Sequence, residues 1–542
     1  MASAEPVPAV RATSVLERAR APLALAPARA PADTPPREQI SAVIDLGSNS
    51  WRLVVYAFVP GAAWRRVGEL QEPVRIAEGL SQSGRLGEAA MARGLETLEL
   101  FACHCEARGI GPEAIDAVAT SAIRDAANGE EFLRQACERT GMAIGVLSIQ
   151  EEARFGYVAA VNSSTLTDGA VLDLGGGSLQ LVAVADRRVT AVGSWPLGAV
   201  RVTERLLPDA GAVSRKQLKR ARAAVREELS GAAWLRDTGP RVVAMGGAVR
   251  NLAAAAQRIH GLTATGIQGY VLAGDDVRAL VRTLAKRTPA QRALPGIKAT
   301  RSDIVLGAAI VLEALLDLGD FEGLEITRAG LREGVFFSRR LLAGSTEPLS
   351  ADVRGSSIRN LALQCDVDMQ HADHVARLAL QLHDSLVAAD AIAPAADERE
   401  LLWAAALLHD IGITVGYDGR HSHSHYLILN GELAGYGPRE TALIAQIVRH
   451  HRKGTPDLGD LARYARGGDD KLLGRCALLL RLAEQLERGQ DQSVREARLV
   501  PERRALRLSL QGENRLARWS LERQLSDDAY RRVFRLPLVL TP

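Results

Sequence analysis

The sequence of 542 residues has no uninterrupted apolar run of about 18 residues, the length that a membrane-spanning helix needs. We therefore expect no membrane span. The formal net charge is only +3, so the chain has no large excess of positive charge that would indicate a nucleic-acid partner. Cysteine is scarce as well, because the chain has only five, an odd and scattered set. Such a set is typical of a reducing compartment and predicts a cytoplasmic protein.

One close pair of cysteines, Cys103 and Cys105 on either side of His104, has the spacing of a metal motif at first sight. The three residues fall in a predicted helix over 91–108, where positions i and i+2 do not share a face. We therefore interpret them as ordinary helix residues.

The composition and its changes along the chain predict several domains. Hydrophobic residues make up 47% of the sequence, enough for folded cores, and the length predicts about three or four domains. Residues 1–39 are rich in Ala, Pro and Arg and are interpreted as a disordered extension, with a targeting peptide as the alternative. Residues 40–340 alternate apolar strands with helical segments, which predicts an α/β fold. Long amphipathic helices follow from about 352, and residues 499–542 show some β alternation.

One ten-residue pattern is present twice, as DLGSNSWRLV over 45–54 and DLGGGSLQLV over 173–182. Each copy lies between two apolar runs, which predicts a strand, a tight Gly/Ser turn and a second strand. Such turns expose backbone N–H groups that form an anion site, and glycine lets the backbone approach a ligand closely. Two such hairpins could enclose a phosphate; ordinary hairpins are the alternative. Neither copy is a P-loop, because Gly-Lys-Ser/Thr is missing and a strand follows the turn.

The side chains of the two copies suit a phosphate and a cation. Ser48, Ser50 and Ser178 offer hydroxyl donors, while Asp45 and Asp173 end their predicted strands. A carboxylate repels phosphate unless a divalent cation lies between them, so Mg²⁺ is implied.

Two further segments follow predicted strands. Gly246 and Gly247 open a predicted helix, whose free N–H groups could cap a phosphate. Glu151 and Glu152 stand at a helix start, where acids are commonly partners of the helix dipole. A carboxylate there could also hold and deprotonate a water for attack on phosphorus.

Two arginines are candidates for phosphate binding. They are Arg124 in TSAIRDA and Arg75 in VRIAEGL. Guanidinium binds phosphate in bidentate fashion, although each arginine alone is more often a partner in a surface ion pair.

Seven segments in order resemble the exopolyphosphatase/guanosine pentaphosphate phosphohydrolase (Ppx/GppA) family of the actin-like ATPase superfamily. They are AVIDLGSNSWRLVV, VRIAEGL, ATSAIRDAANG, EEAR, LDLGGGSLQLV, PLGAVRVTE and MGGAVRNLA. The resemblance implies an α/β fold with two actin-like (ribonuclease H-like) lobes, over 40–166 and 167–340, that close on a cleft. A mostly helical HD-like domain over 341–498 and a small α/β element over 499–542 complete the expected architecture.

The resemblance also implies roles. It makes Glu152 the catalytic base and Asp173 a Mg²⁺ contact, and it implies phosphate contacts from both turns and from Arg124. The full candidate set is Glu152, Glu151 and Arg124 for catalysis, Asp173, Asp45 and Gln180 for the metal, and Ser48, Asn49, Ser50, Gly175, Gly176, Gly177, Ser178, Arg75, Gly246 and Gly247 for phosphate.

One position departs from the family pattern. The family usually has Ser-x-Glu after the glycine triplet, with the Glu near the metal, whereas this chain has Ser178, Leu179 and Gln180. Glutamine keeps an oxygen acceptor but lacks the negative charge, so we expect weaker metal binding or a differently shared metal.

The helical region carries a histidine-rich set that resembles the HD-type fold, whose His and Asp residues bind metals in phosphohydrolases. The set is His374, His409, Asp410, His421, His423, His425, His450 and His451. In family members this domain usually serves binding and dimerisation, and Leu486-Glu487 stand here where metal-binding HD enzymes need an Asp. We therefore favour a degenerate HD fold over an intact metal site. Arg449 to Lys453 form a basic edge suited to a long polyanion, or a solvated charged loop.

The sequence thus predicts a cytoplasmic homodimer that hydrolyses the terminal phosphoanhydride of inorganic polyphosphate with Mg²⁺ and releases orthophosphate. Hydrolysis of guanosine pentaphosphate is the closest alternative. A polyphosphate or nucleotide sensor with little catalysis is another, and chemistry within the helical domain is a third.

Overall fold

The computed structural model describes residues 38–208, 210–512, 515–524 and 528–540. The predicted extension over 1–39 lies outside the described residues except for its last two, and Gln39 already begins a strand. Within the described ranges, no helix has both the length and the apolar character needed to cross a membrane.

The first sheet consists of β1 (Gln39–Leu46), β2 (Trp51–Val59), β3 (Ala63–Glu72), β4 (Ile115–Ala119) and β5 (Ile144–Val146). Its order is β3-β2-β1-β4-β5, with β1 to β3 antiparallel and β4 and β5 added parallel to β1. The helices of this part are α1 (Leu80–Ser83), α2 (Glu88–Ala107), α3 (Ser121–Arg124), α4 (Gly129–Thr140) and α5 (Ile149–Val161).

The second sheet consists of β6 (Gly169–Leu174), β7 (Leu179–Ala185), β8 (Arg188–Trp195), β9 (Val242–Met245), β10 (Val271–Ala273) and β11 (Gly323–Ile326). Its order is β10-β11-β9-β6-β7-β8, with β6 to β8 antiparallel and β9 and β11 parallel to β6. Its helices are α6 (Ala199–Leu206), α7 (Arg215–Glu228), α8 (Gly247–Ile259), α9 (Gly274–Ala285), α10 (Val305–Gly319) and α11 (Leu331–Phe336).

The two sheets repeat one topology, an antiparallel meander extended by parallel strands. The doubled sequence pattern lies at the same place in each, because one copy forms the β1–β2 hairpin and the other the β6–β7 hairpin. Both predicted hairpins are confirmed, as is the helix that opens at Gly247.

The strands before the two turns are buried on both faces, which explains their continuous apolar sequence. In β1, Ile44 packs in the core of the first lobe, whereas Val43 points the opposite way. Val43 joins Val171 of β6 in a second core that α5 and α11 complete from between the sheets. This shared core holds the two hairpins in a fixed relation.

The rest of the chain is mainly helical, with one small sheet. The helices are α12 (Val353–Gln364), α13 (Met369–Ala388), α14 (Ala396–Leu408), α15 (Arg420–Asn430), α16 (Pro438–His450), α17 (Asp469–Leu486), α18 (Arg515–Gln524) and α19 (Asp528–Phe534), and the strands are β12 (Glu496–Pro501), β13 (Leu506–Gln511) and β14 (Leu538–Leu540).

These helices and strands share one hydrophobic core. The predicted boundary between 498 and 499 falls inside β12, so the small sheet begins before it. The predicted fold class, α/β with two lobes followed by a helical region, is confirmed, whereas the HD-like character of that region stays a prediction. The predicted helix over 91–108 is confirmed as α2, with Cys103 exposed and Cys105 buried.

The contact between α11 and α5 depends on a glycine. A Cβ at Gly334 would overlap the backbone oxygen of Phe155. We expect Gly334→Ala to lower the free energy of unfolding by about 1–3 kcal/mol, because added volume in a tight contact forces the backbone apart. Denaturant unfolding measures this. Gly231→Ala, where a Cβ meets open space, is the matched control, and equal effects of both substitutions would contradict the close packing.

Candidate active site

A cleft lies between the lobes where the β1–β2 and β6–β7 turns face each other. The tips touch: a Cβ added at Gly177 would lie 2.9 Å from Ser48 Oγ, and one added at Gly176 would lie 3.1 Å from Ser48 Cβ. Ser121 Oγ is also in this contact, 3.3 Å from Ser48 Oγ. Side chains are thus excluded from the second turn, which leaves its backbone as the surface that a ligand meets.

The start of α6 fixes the second turn from behind. The backbone N–H groups of Ala199 and Val200 donate to the carbonyl oxygens of Gly175 and Gly176, at 3.0 and 2.9 Å. Gly198 packs against the same turn with no room for a Cβ. The sequence segment PLGAV is therefore a support of the turn.

Segment 75–77 supports the first turn in the same way. The N–H of Arg75 donates to Asn49 O at 2.9 Å, and the N–H of Ala77 donates to Ser48 O at 3.2 Å. The Arg75 side chain does not line the cleft but reaches Asp303 at 3.4 Å. The structure therefore does not bring the Arg75 guanidinium to the predicted phosphate site, and its contribution there is made by the backbone.

Glu151 and Glu152 are separated by the way α5 begins. Ser148 caps the helix by accepting a hydrogen bond from the N–H of Glu151, whose carboxylate accepts one from the N–H of Ser148 at 2.9 Å. Glu151 is thereby exposed and outside the cleft, which corrects its place among the catalytic candidates. Glu152 is the next residue of the helix, and its side chain is buried and lines the cleft.

Glu152 is held on both carboxylate oxygens. Arg124 Nη1 donates to Oε2 at 2.9 Å and also to the carbonyl oxygen of Leu147 at 2.9 Å. Ser178 Oγ donates to Oε1 at 3.5 Å, and Gln180 Nε2 donates in turn to Ser178 Oγ at 2.8 Å. Arg124 does not line the cleft, so the structure makes it a positioning residue for Glu152 instead of a direct phosphate contact.

Three carboxylates converge on the cleft, that of Glu152 buried and those of Asp45 and Asp173 half-buried. Asp45 and Asp173 occupy equivalent positions near the ends of β1 and β6, and Glu152 faces them from α5. Burial and the neighbouring Glu152 carboxylate raise the pKa of Asp173 to about 7. Burial also raises the pKa values of Asp45 and Glu152 above their ordinary range. Oxygen donors that destabilise one another's charge fit a hard divalent cation such as Mg²⁺.

Four arginines that the sequence did not single out also line the cleft: Arg52, Arg250, Arg301 and Arg332. Arg52 had a recognisable signal, because it pairs with Asp45 in the hairpin register, at the position that Gln180 takes opposite Asp173. Arg250 lies within the quoted segment MGGAVRNLA. Arg301 and Arg332 come from segments that are distant in the sequence. Only the folded structure shows that both reach the cleft.

Burial and the neighbouring arginines lower the pKa values of two of these side chains, Arg52 and Arg250. Burial and then Arg332 and Arg52 lower the pKa of Arg250 to about 9, and burial and then Arg332 lower that of Arg52 to about 10. Arg332 keeps a buried nitrogen without a hydrogen-bond partner among the described residues, and Glu69 lies 3.7 Å away. A polyanion with several charged groups would stabilise the charged form of these arginines.

The structure thus brings most predicted residues into one cleft. Ser48, Asn49, Ser50, Asp45, Glu152, Asp173, Gly175, Gly176, Gly177, Ser178, Gln180, Gly246 and Gly247 line it, whereas Glu151, Arg124 and Arg75 do not.

Two family models match this chain. Residues 54–343 match the model of the Ppx/GppA phosphatase family, and residues 353–527 match that of Ppx/GppA phosphatase domain III.

Solved structures are similar to this chain as well, and three examples follow. An exopolyphosphatase-like protein is 26% identical, with a TM-score of 0.50 over 56% of this chain and 100% of its own. An exopolyphosphatase from Cytophaga hutchinsonii is 21% identical, with a TM-score of 0.51 over 55% and 97%. A Ppx/GppA family member from Aquifex aeolicus is 25% identical, with a TM-score of 0.47 over 55% and 97%. The likeness to the first two supports the predicted actin-like fold.

The raised pKa of Asp173 predicts a pH-dependent cost of stability. The folded protein binds this proton more tightly than the unfolded chain does, so stability falls as pH rises from about 4 to about 7. Without divalent cations, we expect Asp173→Asn to raise the free energy of unfolding at about pH 8 by about 2–4 kcal/mol and to change it little below about pH 4. Thermal unfolding across pH measures this.

The matched control is Asp275→Asn, because that side chain is 97% exposed. It should have little effect at either pH. A loss of stability in Asp173→Asn at high pH would contradict the conclusion that the ionised carboxylate of Asp173 destabilises the folded protein.

Proposed function

The chain belongs to the Ppx/GppA phosphatase family, and from this premise we propose that it is an exopolyphosphatase that releases orthophosphate from the end of inorganic polyphosphate. The observation that carries the proposal is the composition of the cleft. Two glycine- and serine-rich turns, three carboxylates and four arginines line one space. The turns suit a terminal phosphate, and the arginines suit the charges that follow it along a chain.

In the proposed reaction a water attacks the terminal phosphorus, and the remaining polyphosphate leaves with the bridging oxygen. Glu152 accepts a proton from this water. Its pKa is raised by burial, which moves it toward neutral pH and makes it a better base there. Arg124 and Ser178 fix both of its oxygens, so the carboxylate is already oriented before the substrate binds.

The two turns bind and orient the terminal phosphate. Backbone N–H groups around Gly175 to Ser178 and the hydroxyls of Ser48 and Ser178 can donate to its oxygens. Arg332, which is buried, and Arg250, which is half-buried, are placed to neutralise the next phosphates. These donors are held in position by the folded protein and need little rearrangement during the reaction.

Mg²⁺ fits the carboxylate end of the same cleft. Asp45 and Asp173 would hold it, with the Gln180 amide oxygen as a neutral donor nearby, and the bound ion would neutralise negative charge on the substrate. Because Gln180 carries no charge, we expect weaker Mg²⁺ binding than a third carboxylate would give. Mg²⁺ dependence, a homodimer and a cytoplasmic location stay predictions.

The lining of the cleft favours polyphosphate over guanosine pentaphosphate. No aromatic side chain is among its described lining residues, so a guanine base would find no ring on which to stack. Each unit of polyphosphate carries negative charge, and four arginines line the cleft.

Replacement of the proposed base tests the mechanism. We expect Glu152→Gln to fold normally and to lose about 10²–10³ of its turnover, because an interaction made in the transition state is lost. The malachite-green assay of phosphate release measures this. Glu151→Gln is the matched control: it removes the neighbouring charge, keeps the helix cap and should retain activity. Equal turnover in Glu152→Gln and the wild type would refute the assignment.

A comparison of substrates tests the specificity. With Mg²⁺ present, we expect kcat/KM for long-chain polyphosphate to exceed that for guanosine pentaphosphate, and Arg250→Gln to weaken polyphosphate hydrolysis through lost charge. A preference for guanosine pentaphosphate would overturn the polyphosphate assignment while keeping the hydrolase. Tight binding of both without phosphate release would instead establish a sensor.

A further inference from the structure

A second group of metal-ligand side chains lies in the helical region, away from the cleft. His371 on α13 meets His409 and Asp410, which follow α14 directly. One ligand atom from each of these three residues lies within 4.8 Å of the other two. The His409 ring also lies 5.4 Å from the His371 ring and 5.4 Å from the His451 ring, measured between centroids. Among the described residues, this is the one group of His, Cys, Asp or Glu whose ligand atoms meet within this distance; the three carboxylates of the cleft do not.

The ring nitrogens of this cluster are buried and unpartnered. Nδ1 of His371 and Nε2 of both His409 and His451 have no hydrogen-bond partner among the described residues. The three residues are 7%, 0% and 0% exposed, so bulk water does not satisfy them. A buried polar atom left unpaired destabilises the fold, so several such atoms facing one another are typical of a ligand site.

Hydrogen bonds on the far sides of the rings set the protonation needed for a metal ligand. Nδ1 of His409 lies 2.7 Å from the carbonyl oxygen of Ala406, and Nδ1 of His451 lies 2.5 Å from that of Val448. A carbonyl only accepts, so Nδ1 carries the proton and Nε2 keeps a free lone pair. Metal-binding histidines are commonly oriented by such a bond.

Asp410 is oriented as well. Arg420 Nε donates to its Oδ1 at 2.6 Å, and its other oxygen, Oδ2, lies 3.6 Å from His409 Nε2. The charge of Arg420 is itself offset by Glu484, whose carboxylate lies 3.3 Å from Arg420 Nη2. The carboxylate therefore has one oxygen fixed by the protein and one directed toward the histidines.

We propose that His371, His409 and Asp410 bind a divalent transition-metal cation, with Nε2 of His451 adjacent as a further nitrogen donor. Imidazole nitrogens with one carboxylate suit Zn²⁺ and its first-row neighbours, whereas Mg²⁺ prefers oxygen ligands. This site is independent of the proposed exopolyphosphatase reaction and shares no residue with the cleft.

The arrangement also corrects the sequence interpretation of this region. His374 does not face His409; its Nε2 contacts the carbonyl oxygen of Val494 at 3.0 Å and Glu487 at 3.3 Å. Glu487 therefore pairs with His374. The residue that stands where metal-binding HD enzymes have an Asp thus lies against His374 and not in the group of His371, His409 and Asp410.

Metal analysis of the full-length, tag-free protein tests the proposal. The protein is stripped with a chelator, reloaded with Zn²⁺ in excess Mg²⁺, and dialysed before the metal content is measured by mass spectrometry. We expect one tightly bound Zn²⁺ per chain, and a visible Co²⁺ spectrum typical of nitrogen ligands when Co²⁺ replaces it. Zn²⁺ should also raise the thermal midpoint of the stripped protein.

Variants locate the ion. His409→Ala and, should that variant fold poorly, the more peripheral His371→Gln should lose the bound Zn²⁺ and the Zn²⁺-induced thermal shift. His374→Ala, a buried histidine one turn from His371, is the matched control and should keep both. Asp173→Asn in the cleft should also keep both.

Three results would overturn the proposal. They are a wild-type protein that retains no Zn²⁺, a His371→Gln variant that binds Zn²⁺ as the wild type does, and loss of the ion in Asp173→Asn instead of in the histidine variants.

Discussion

The desolvation of three carboxylates that face one cleft is the constraint on which the site depends. Asp45, Asp173 and Glu152 are brought together because two equivalent hairpins face each other and α5 begins beside them. Water cannot screen these charges well, so their pKa values rise and they require cations. The protein supplies four arginines, and burial together with the neighbouring arginines lowers the pKa values of Arg52 and Arg250. A magnesium ion and a phosphate chain together would satisfy both sets of charges.

The glycine turns explain how such a site is built at the meeting of two sheets. The strands that carry the turns are buried on both faces, which fixes the position and direction of each turn. The first N–H groups of α6 bind the carbonyl oxygens of the second turn and hold it in place. A Cβ at Gly176 or Gly177 would lie too close to Ser48, so a ligand meets backbone at these two positions. Gln180 fits this picture: in place of a fourth carboxylate it donates to Ser178, which bonds to Glu152. We infer that Gln180 lowers the affinity for the metal and also reduces the charge repulsion within the site.

The sequence predicted those features that depend on local chemistry. Glycine and serine between apolar runs determine the hairpins, and the doubled pattern determines their equivalence. It did not predict where long side chains point. Arg124 and Arg75 were assigned to phosphate, yet one positions Glu152 and the other lies outside the cleft. Arg52 was predictable from the register opposite Asp45, whereas Arg332 reaches the cleft only through the packing of α11 on α5.

The histidines of the helical region show the same limit. His371 and His374 are three residues apart on α13, and the contact with His409 after α14 selects one of them. Only tertiary packing distinguishes His371 from His374, so the pattern of residue types in the sequence could not show which of them meets His409.

The most direct test of the central claim is a crystal structure of Glu152→Gln with a short polyphosphate and Mg²⁺. We expect the terminal phosphate between the turns at Ser48 and Gly175 to Ser178, with the next phosphates on Arg250 and Arg332. Polyphosphate bound instead along the basic edge at Arg449 to Lys453, with no phosphate between the two turns, would contradict the account.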